Sequence, residues 1–258
     1  MKSAWKNFNK YRFLLGELVK KDIKLKYRRS YLGIFWTLLE PLLTTAVLTV
    51  VFSNLLGRGG KTFPVYILTG RLLYSFFSNA TKAAMKSIRS NSAMIKKVYV
   101  PKYIYPFSSI LSNFAIFLIS LIILLLAAVL FRVMPTWYLL QIVVPLIMLL
   151  VLSMGVGMIL ATLAVFFRDL EYLWSVALML IMYTCGIFYH VEDLKLGEYA
   201  WIFNLNPLYL IIVNFRDAVF GNPLNQEALI ISAAYSFGSL LLGILLFYKK
   251  QDDFILNI

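Results

Sequence analysis

Six stretches of the chain are almost free of charge, and the charged residues gather between them. These apolar runs extend over Ile34 to Leu56, Phe63 to Ala80, Phe107 to Phe131, Trp137 to Phe167, Leu173 to Tyr189 and Ala228 to Tyr248. About 20 apolar residues, rising 1.5 Å each, cross a bilayer core of roughly 30 Å. In lipid the backbone must satisfy its own hydrogen bonds, and runs this long and apolar suit helices rather than barrel strands. The pattern therefore predicts an all-α integral membrane protein with six transmembrane helices. Arg71 interrupts the second run, and the fourth is long enough to tilt or to extend beyond the lipid.

The segments between the runs carry their own patterns. Before Ile34, the residues Trp5, Phe8, Tyr11, Leu15, Leu18 and Val19 recur at steps of three or four, with lysines on the other faces. That spacing predicts an amphipathic helix lying in the membrane interface. The division expected is a cytoplasmic tail over residues 1–33 and a transmembrane domain over residues 34–258. In the loop Lys82 to Tyr105, Met85, Ile88, Met94, Ile95 and Val98 alternate with Lys86, Arg89, Lys96 and Lys97 before Pro101. This predicts a short amphipathic helix stopped at the proline, either resting on headgroups or transmitting a push from a soluble partner. Between the fifth and sixth runs, His190 to Glu227 is apolar in part but broken by Asn204, Asn206, Pro207 and Asn214. Non-helical backbone at membrane depth needs cover from protein or a water-filled cavity, so re-entrant or interfacial helices are expected there.

Charge sets the orientation. Ten Lys/Arg precede Ile34 and six lie between Lys82 and Lys102; with Arg168, Lys249 and Lys250, 19 fall on one side against five on the other. Basic residues accumulate on the cytoplasmic side, so both termini are expected there. Composition agrees with the class: of 258 residues, 61% are apolar and 14% charged, far from the roughly 45–50% and 25% of soluble domains. A net charge of +13 in a soluble protein would suggest nucleic acid, but here the charges flank membrane runs, and no nucleic-acid partner is expected. The single Cys185 sits within an apolar run and reads as a small buried hydrophobe.

Catalytic chemistry is thinly represented. There is one His, one Cys and 12 carboxylates, and no GxxxxGK[ST] phosphate loop. The expectation is no catalytic residue, no metal and no cofactor in this chain. His190, Glu192 and Asp193 cluster at the end of the fifth run, more simply as a polar turn than as metal ligands. Charges inside the membrane are functional candidates by default, and Glu40 and Arg71 qualify. Their backbones are expected to differ in depth by about 10 Å, leaving a direct pair stretched. Arg71 either snorkels to a structural partner or faces a transport path and meets phosphate. The aromatics are mainly interface anchors, while Tyr66, Tyr74, Phe76, Phe77, Tyr183, Phe188 and Tyr189 are candidates for lining a path along which sugars slide.

Four sets of residues carry a family resemblance. They are Tyr27-Arg28-Arg29-Ser30-Tyr31-Leu32-Gly33 continuing to Trp36 and Glu40-Pro41; Asn91 to Pro101; Phe167-Arg168-Asp169; and Asn206-Pro207 followed by Phe215-Arg216. In order and spacing they resemble the permease subunits of type 2 ATP-binding-cassette exporters, most closely the branch exporting O-antigen, capsule and teichoic acid. The resemblance implies a homodimer of six-helix subunits with two copies of a separate ATPase, which would hold ATP and Mg, and a polyprenyl-linked glycopolymer as substrate. It implies a bacterial cytoplasmic (inner) membrane location and a coupling helix at about Ser87 to Val100, carrying Ser87, Ile88, Asn91, Ile95, Lys96 and Val98 and ending at Pro101. The N-terminal segment with Tyr27, Arg28, Arg29, Gly33 and Trp36 would be a second ATPase contact, though Arg28 and Arg29 also suit anionic headgroups. Arg168 and Asp169 form an inner turn, either a mutual ion pair or an ATPase contact; Asn206, Pro207 and Arg216 would belong to an outer gate. One departure is Cys185-Gly186 where many relatives carry Ser-Pro. Export of a drug or small lipid fits the same architecture. A membrane enzyme acting on lipid-linked sugars would need the His190 group, and an ion-coupled carrier would lean on Glu40.

Overall fold

The computed structural model describes residues 2–28, 30–56, 60–98, 100–134, 136–191 and 201–257, with side chains for all of these except residues 2–10, 54–56, 256 and 257. Predictions concerning Arg29, Arg58, Tyr99, Glu192, Asp193 and Lys195, and the side chains of Trp5 and Phe8, lie outside the described residues. Among the described residues every regular element is helical. In chain order they are α1 (Lys2–Tyr27), α2 (Trp36–Leu56), α3 (Phe63–Ser90), α4 (Ser92–Lys97), α5 (Ile104–Leu130), α6 (Val143–Phe166), α7 (Leu170–Thr184), α8 (Trp201–Asn204), α9 (Pro207–Phe220), α10 (Gln226–Lys250) and α11 (Phe254–Asn257). Tight 3₁₀ turns lead into α2 and α6 and follow α10.

Among the described residues, four helical stretches are both long and apolar enough to cross a membrane: Gly33–Ser53, Ile104–Leu130, Trp137–Phe166 and Gln226–Asp253. The second and fifth expected spans come out differently. The second run was expected to end at Ala80, yet α3 continues to Ser90, about 42 Å of helix. Lys82, Lys86 and Arg89 stand at steps of four and three, on one face, while Thr81, Ala84, Met85, Ser87 and Ile88 keep the opposite face buried. The fifth run is cut short, because α7 ends at Thr184, about 22 Å from its start. Gly186 then takes φ +58°, where an added Cβ would meet Val191 Cγ2 at 2.9 Å.

The core gathers around α3. Leu68, Leu72, Phe76 and Phe77 pack with Ile110 and Phe117 of α5, Leu149 and Leu152 of α6, and Ile212 and Phe215 of α9. Lipid offers helices no hydrophobic incentive to associate, so close contact depends on small residues and interhelical hydrogen bonds. The α6–α10 pair follows that rule: a Cβ on Gly155 would lie 2.4 Å from Leu240 N, and one on Gly243 would lie 2.6 Å from Gly155 O. Ser236 Oγ donates to Met148 O at 3.2 Å across the same seam.

A second cluster forms one end of the bundle, joining Leu18 of α1, Ile88, Ile95, Ile104, Tyr105, Met158, Phe247 and Phe254. Tyr11, Leu14 and Leu15 pack against it, so the described part of the α1 apolar stripe lies on protein, with Phe13 on an exposed face. This is the basic end. Lys21 Nζ donates to Asn91 Oδ1 at 3.3 Å, Arg89 Nη2 to Val165 O at 3.3 Å and Lys102 Nζ to the Gln251 carbonyl, and Lys86 pairs with Glu171 at 2.8 Å.

Gly155→Val should lower the thermal unfolding midpoint of the detergent-solubilised chain, with a stability loss of roughly 1–3 kcal/mol from overpacking. Gly238→Ala in the interior of α10, whose Cβ meets nothing within 4 Å, should not lower the midpoint and should raise it slightly, because Ala is favoured over Gly in a helix.

Candidate functional site

Where α7 stops, its last carbonyls and the bend at Gly186 must be satisfied without water. Arg216 of α9 supplies one of the donors and ties the bend to α3. Its Nη1 donates to Gly186 O at 3.0 Å, Nη2 to Tyr66 O at 3.1 Å and Nε to Thr69 Oγ1 at 3.3 Å, and the guanidinium lies 3.5 Å from the centre of the Tyr66 ring. Arg216 is only 6% exposed, and among the described residues no carboxylate lies within ion-pair distance of it. Carbonyl dipoles and a ring face therefore carry the compensation for a buried charge. Gly70 makes the approach possible, since a Cβ there would stand 2.7 Å from Arg216 Nη2.

Neighbouring groups complete this knot. Tyr66 Oη donates to Gly186 O and Tyr189 O at 3.2 and 3.0 Å. Asn206 caps α9, its Oδ1 accepting from Leu208 N at 3.1 Å, while Nδ2 donates to Thr184 Oγ1 at 2.8 Å and to Ile181 O at 3.3 Å. Pro207 occupies the first turn, where its missing N–H costs nothing. Cys185 is fully buried beneath this network.

A groove lies between α2, α3, α5 and the end of α1. Its main cavity is about 550 Å³ and is lined by Lys26, Glu40, Thr44, Arg71, Asn79 and Asn113 among others. Helical periodicity assembles the wall: Arg71, Ser75 and Asn79 stand four apart on α3, and Thr37, Glu40, Pro41 and Thr44 share one face of α2. Burial lowers the Lys26 ammonium from its usual value, opposed by the Glu40 carboxylate, and Glu40 together with burial raises the Tyr27 phenol.

The family profile described as ABC-2 type transporter matches residues 14–220. The chain belongs to the ABC-2 type transporter family. Relatives of this ABC-2 chain include the O-antigen export system permease protein RfbA of Klebsiella pneumoniae, 29% identical with 93% of each chain covered. The protein of the same name from Myxococcus xanthus is 26% identical with 95% of each covered, and the polysialic acid transport protein KpsM of Escherichia coli is 20% identical with 96% of this chain and 98% of its own covered.

Within this ABC-2 fold the residues expected to form sites are distributed unevenly. Ser87 and Ile88, expected on the coupling helix, are buried in the last turns of α3, so that helix reduces to α4. Asn91 makes the junction, its Nδ2 donating to Ser87 O at 2.8 Å, and Ile95 is turned into the basic-end cluster. Lys96 and Lys97 are exposed, as is Val98 at 50%. Pro101 does not stop α4, which ends at Lys97; its carbonyl instead accepts from Ile104 N at the start of α5. Tyr27 ends α1, Arg28 is exposed, and Gly33 adopts φ +51° with its N–H donating to Ser30 Oγ at 3.2 Å. Trp36 lines the main cavity. Arg168 and Asp169 are both exposed and, among the described residues, form no mutual ion pair; the ion pair at this turn is Lys86–Glu171.

The aromatic candidates are mostly structural. Tyr74 Oη donates to Leu178 O at 3.0 Å, Phe76 stacks on Phe117 at 5.1 Å, Phe77 packs near Trp174, and Tyr189 Oη donates to the Tyr183 carbonyl. Phe188 stacks on Phe52 at 5.0 Å. Tyr183 alone among these candidates offers an open ring, at 56% exposure. Glu40 and Arg71 line one cavity but form no ion pair with each other. His190 lies against Tyr66, ring centres 4.1 Å apart. Arg216, expected at an outer gate, is buried and brackets α3 to the bend at Gly186. Its placement in the mostly apolar stretch Leu208 to Phe220 was the available signal.

Arg216→Gln should destabilise the solubilised protein by roughly 2–4 kcal/mol, because buried carbonyls lose their donors. Asn206→Ala should cost about 1 kcal/mol as a lost cap. Thermal or denaturant unfolding followed by Trp fluorescence measures both.

Proposed function

We propose that this chain is the non-catalytic, membrane-spanning subunit of an ATP-driven exporter that carries lipid-linked cell-surface polysaccharide outward across the cytoplasmic membrane. The observation that carries the proposal is near-full-length similarity to permeases named for O-antigen and capsule polysaccharide export. Teichoic acid is a further cargo of the same chemical kind. ATP and Mg belong to a separate ATPase, two copies of which serve two copies of this chain.

In this reading six spans cross the bilayer, α3 and α7 joining the four longer apolar helices, and α8 and α9 form a re-entrant pair at the outer end. The tail over residues 1–33 and both termini are cytoplasmic, since the basic residues of α1, the α3–α5 turn, the α6–α7 turn and the end of α10 gather at one end. ATPase closure pushes on the exposed Ala93, Lys96, Lys97 and Val98. The push passes through Ile95 into the cluster with Leu18, Ile88 and Phe254, and so to the bases of α3, α5, α6 and α10 together. Arg28, Arg168 and Asp169 flank the same surface.

Deleting the gene in its host should strip the cell surface of one glycopolymer and leave its lipid-linked form inside, detectable by glycan staining of intact and lysed cells. Wild-type chain should restore export, and Lys97→Glu with Val98→Asp should restore it at least tenfold less well while the protein still reaches the membrane. Unchanged surface glycan in the deletion strain would contradict the proposal.

A further inference from the structure

The main cavity is the middle of three that adjoin along α3. Towards the basic end, a cavity of about 530 Å³ bordered by Asp22, Lys86 and Ser90 shares Lys26, Asn79, Asn113 and Ile116 with it. On the other side, a cavity of about 530 Å³ between α2, α3 and α7 shares Thr44 and Arg71 with it. Chemistry changes at that boundary. The two cavities on the basic side carry hydroxyl, amide and charged groups, whereas the third is walled by Leu43, Val47, Leu48, Phe52, Met182 and Phe188 apart from the shared pair and Tyr183. Arg71 stands at the junction.

Arg71 is half-buried in α3 and makes no hydrogen bond or ion pair among the described residues. A guanidinium in hydrocarbon without a partner is costly. Glu40 is the carboxylate in the same cavity, and its influence is felt at Lys26 and Tyr27. Lys26 and Arg71 face Glu40 in the main cavity, Asp22 borders the neighbouring one and Lys86 pairs with Glu171, so the cation without a partner among the described residues is Arg71, placed where polar and apolar halves meet. The complement is an amphiphile with an anion between a polar head and a hydrocarbon chain. At membrane depth that anion is a phosphate ester, which a guanidinium fork grips through two oxygens.

We propose that each subunit binds one phosphate-bearing membrane lipid in this groove: phosphate at Arg71, hydrocarbon chain in the α2–α7 cavity, polar head beside Ser75, Asn79, Asn113 and Ser120. The site lies within a single chain. It rests on the exporter reading only for the source of the lipid, which is a polyprenyl-phosphate-linked glycan on that reading and an ordinary phospholipid otherwise.

Native mass spectrometry of the purified full-length chain, released from detergent with undecaprenyl phosphate, undecaprenol or phosphatidylglycerol added, tests it. Wild type should retain undecaprenyl phosphate at least tenfold better than undecaprenol, Arg71→Gln should lose about tenfold or more of that retention, and Arg71→Lys should keep an intermediate share. Thr44→Leu, which narrows the junction without touching the charge, should also lose it, and Lys249→Gln on an exposed face should not. Arg71-dependent retention of undecaprenyl phosphate alone identifies the transported lipid as the source, and equal retention of phosphatidylglycerol identifies phospholipid; both support the site. Retention that is the same for undecaprenol, or undiminished in Arg71→Gln, overturns it. The exporter reading is judged separately in cells: loss of surface glycan on deletion with no Arg71-dependent binding would overturn this inference alone.

Discussion

A helix that ends within a packed bundle leaves carbonyl groups that protein donors must satisfy, and at the end of α7 Tyr66, Asn206 and Arg216 supply those donors together. An unsatisfied carbonyl in the membrane costs several kcal/mol, so the early end of α7 at Thr184 is tolerable only with donors nearby. Tyr66 supplies them from α3, and Arg216 and Asn206 from α9 and its cap. The geometry then follows: Gly70 has no Cβ so that the guanidinium can cross α3, Gly186 takes the left-handed bend, and α9 returns into the bundle at the angle that brings Arg216 to both. The buried charge is repaid by carbonyl dipoles and the Tyr66 ring, so the knot is held by neutral groups and needs no acidic partner.

The bundle's two ends are built on different principles. One is this polar knot. The other is an apolar cluster that joins α1, the stub α4 and the start of α5 to α6, α10 and α11, ringed by basic residues. A force applied to α4 is felt by several helices at once because Ile95 is packed rather than free. Between the ends runs the groove along α3, the polar interior feature in a bundle otherwise sealed by Leu, Ile and Phe. On the proposed export reading, the place where outside force enters and the place where substrate is received are separated along α3.

Helix ends with a local chemical signature were legible in the sequence: Asn206 followed by Pro207 reads as a cap and first turn and is one. Signals that depend on the other side of a contact were not. The extension of α3 to Ser90 was hidden because Lys82, Lys86 and Arg89 look like a loop unless one face is known to be buried, and it is α5 and α6 that bury it. The path aromatics look available in sequence, yet Tyr66 and Tyr189 spend their hydroxyls on backbone carbonyls at and after the end of α7, and Tyr74 on the Leu178 carbonyl within it. The groove was half visible: Arg71, Ser75 and Asn79 at intervals of four form a polar stripe, but only the packing of α2 and α5 turns the stripe into a cavity. The breaks at Asn204, Asn206, Pro207 and Asn214 point to short re-entrant or interfacial helices, and only the packing of α9 against α3 shows that the Arg216 side chain is buried.

The single cysteine offers the most direct measurement of the knot. Cys185 is fully buried one residue before Gly186, so the folded chain in membranes should resist a maleimide reagent. Arg216→Gln should make Cys185 react at least tenfold faster while α1 and the basic end stay folded, as read by unchanged proteolysis there. A Cys185 that stays as protected in Arg216→Gln as in wild type would contradict the claim that this one side chain holds the break in the helix shut.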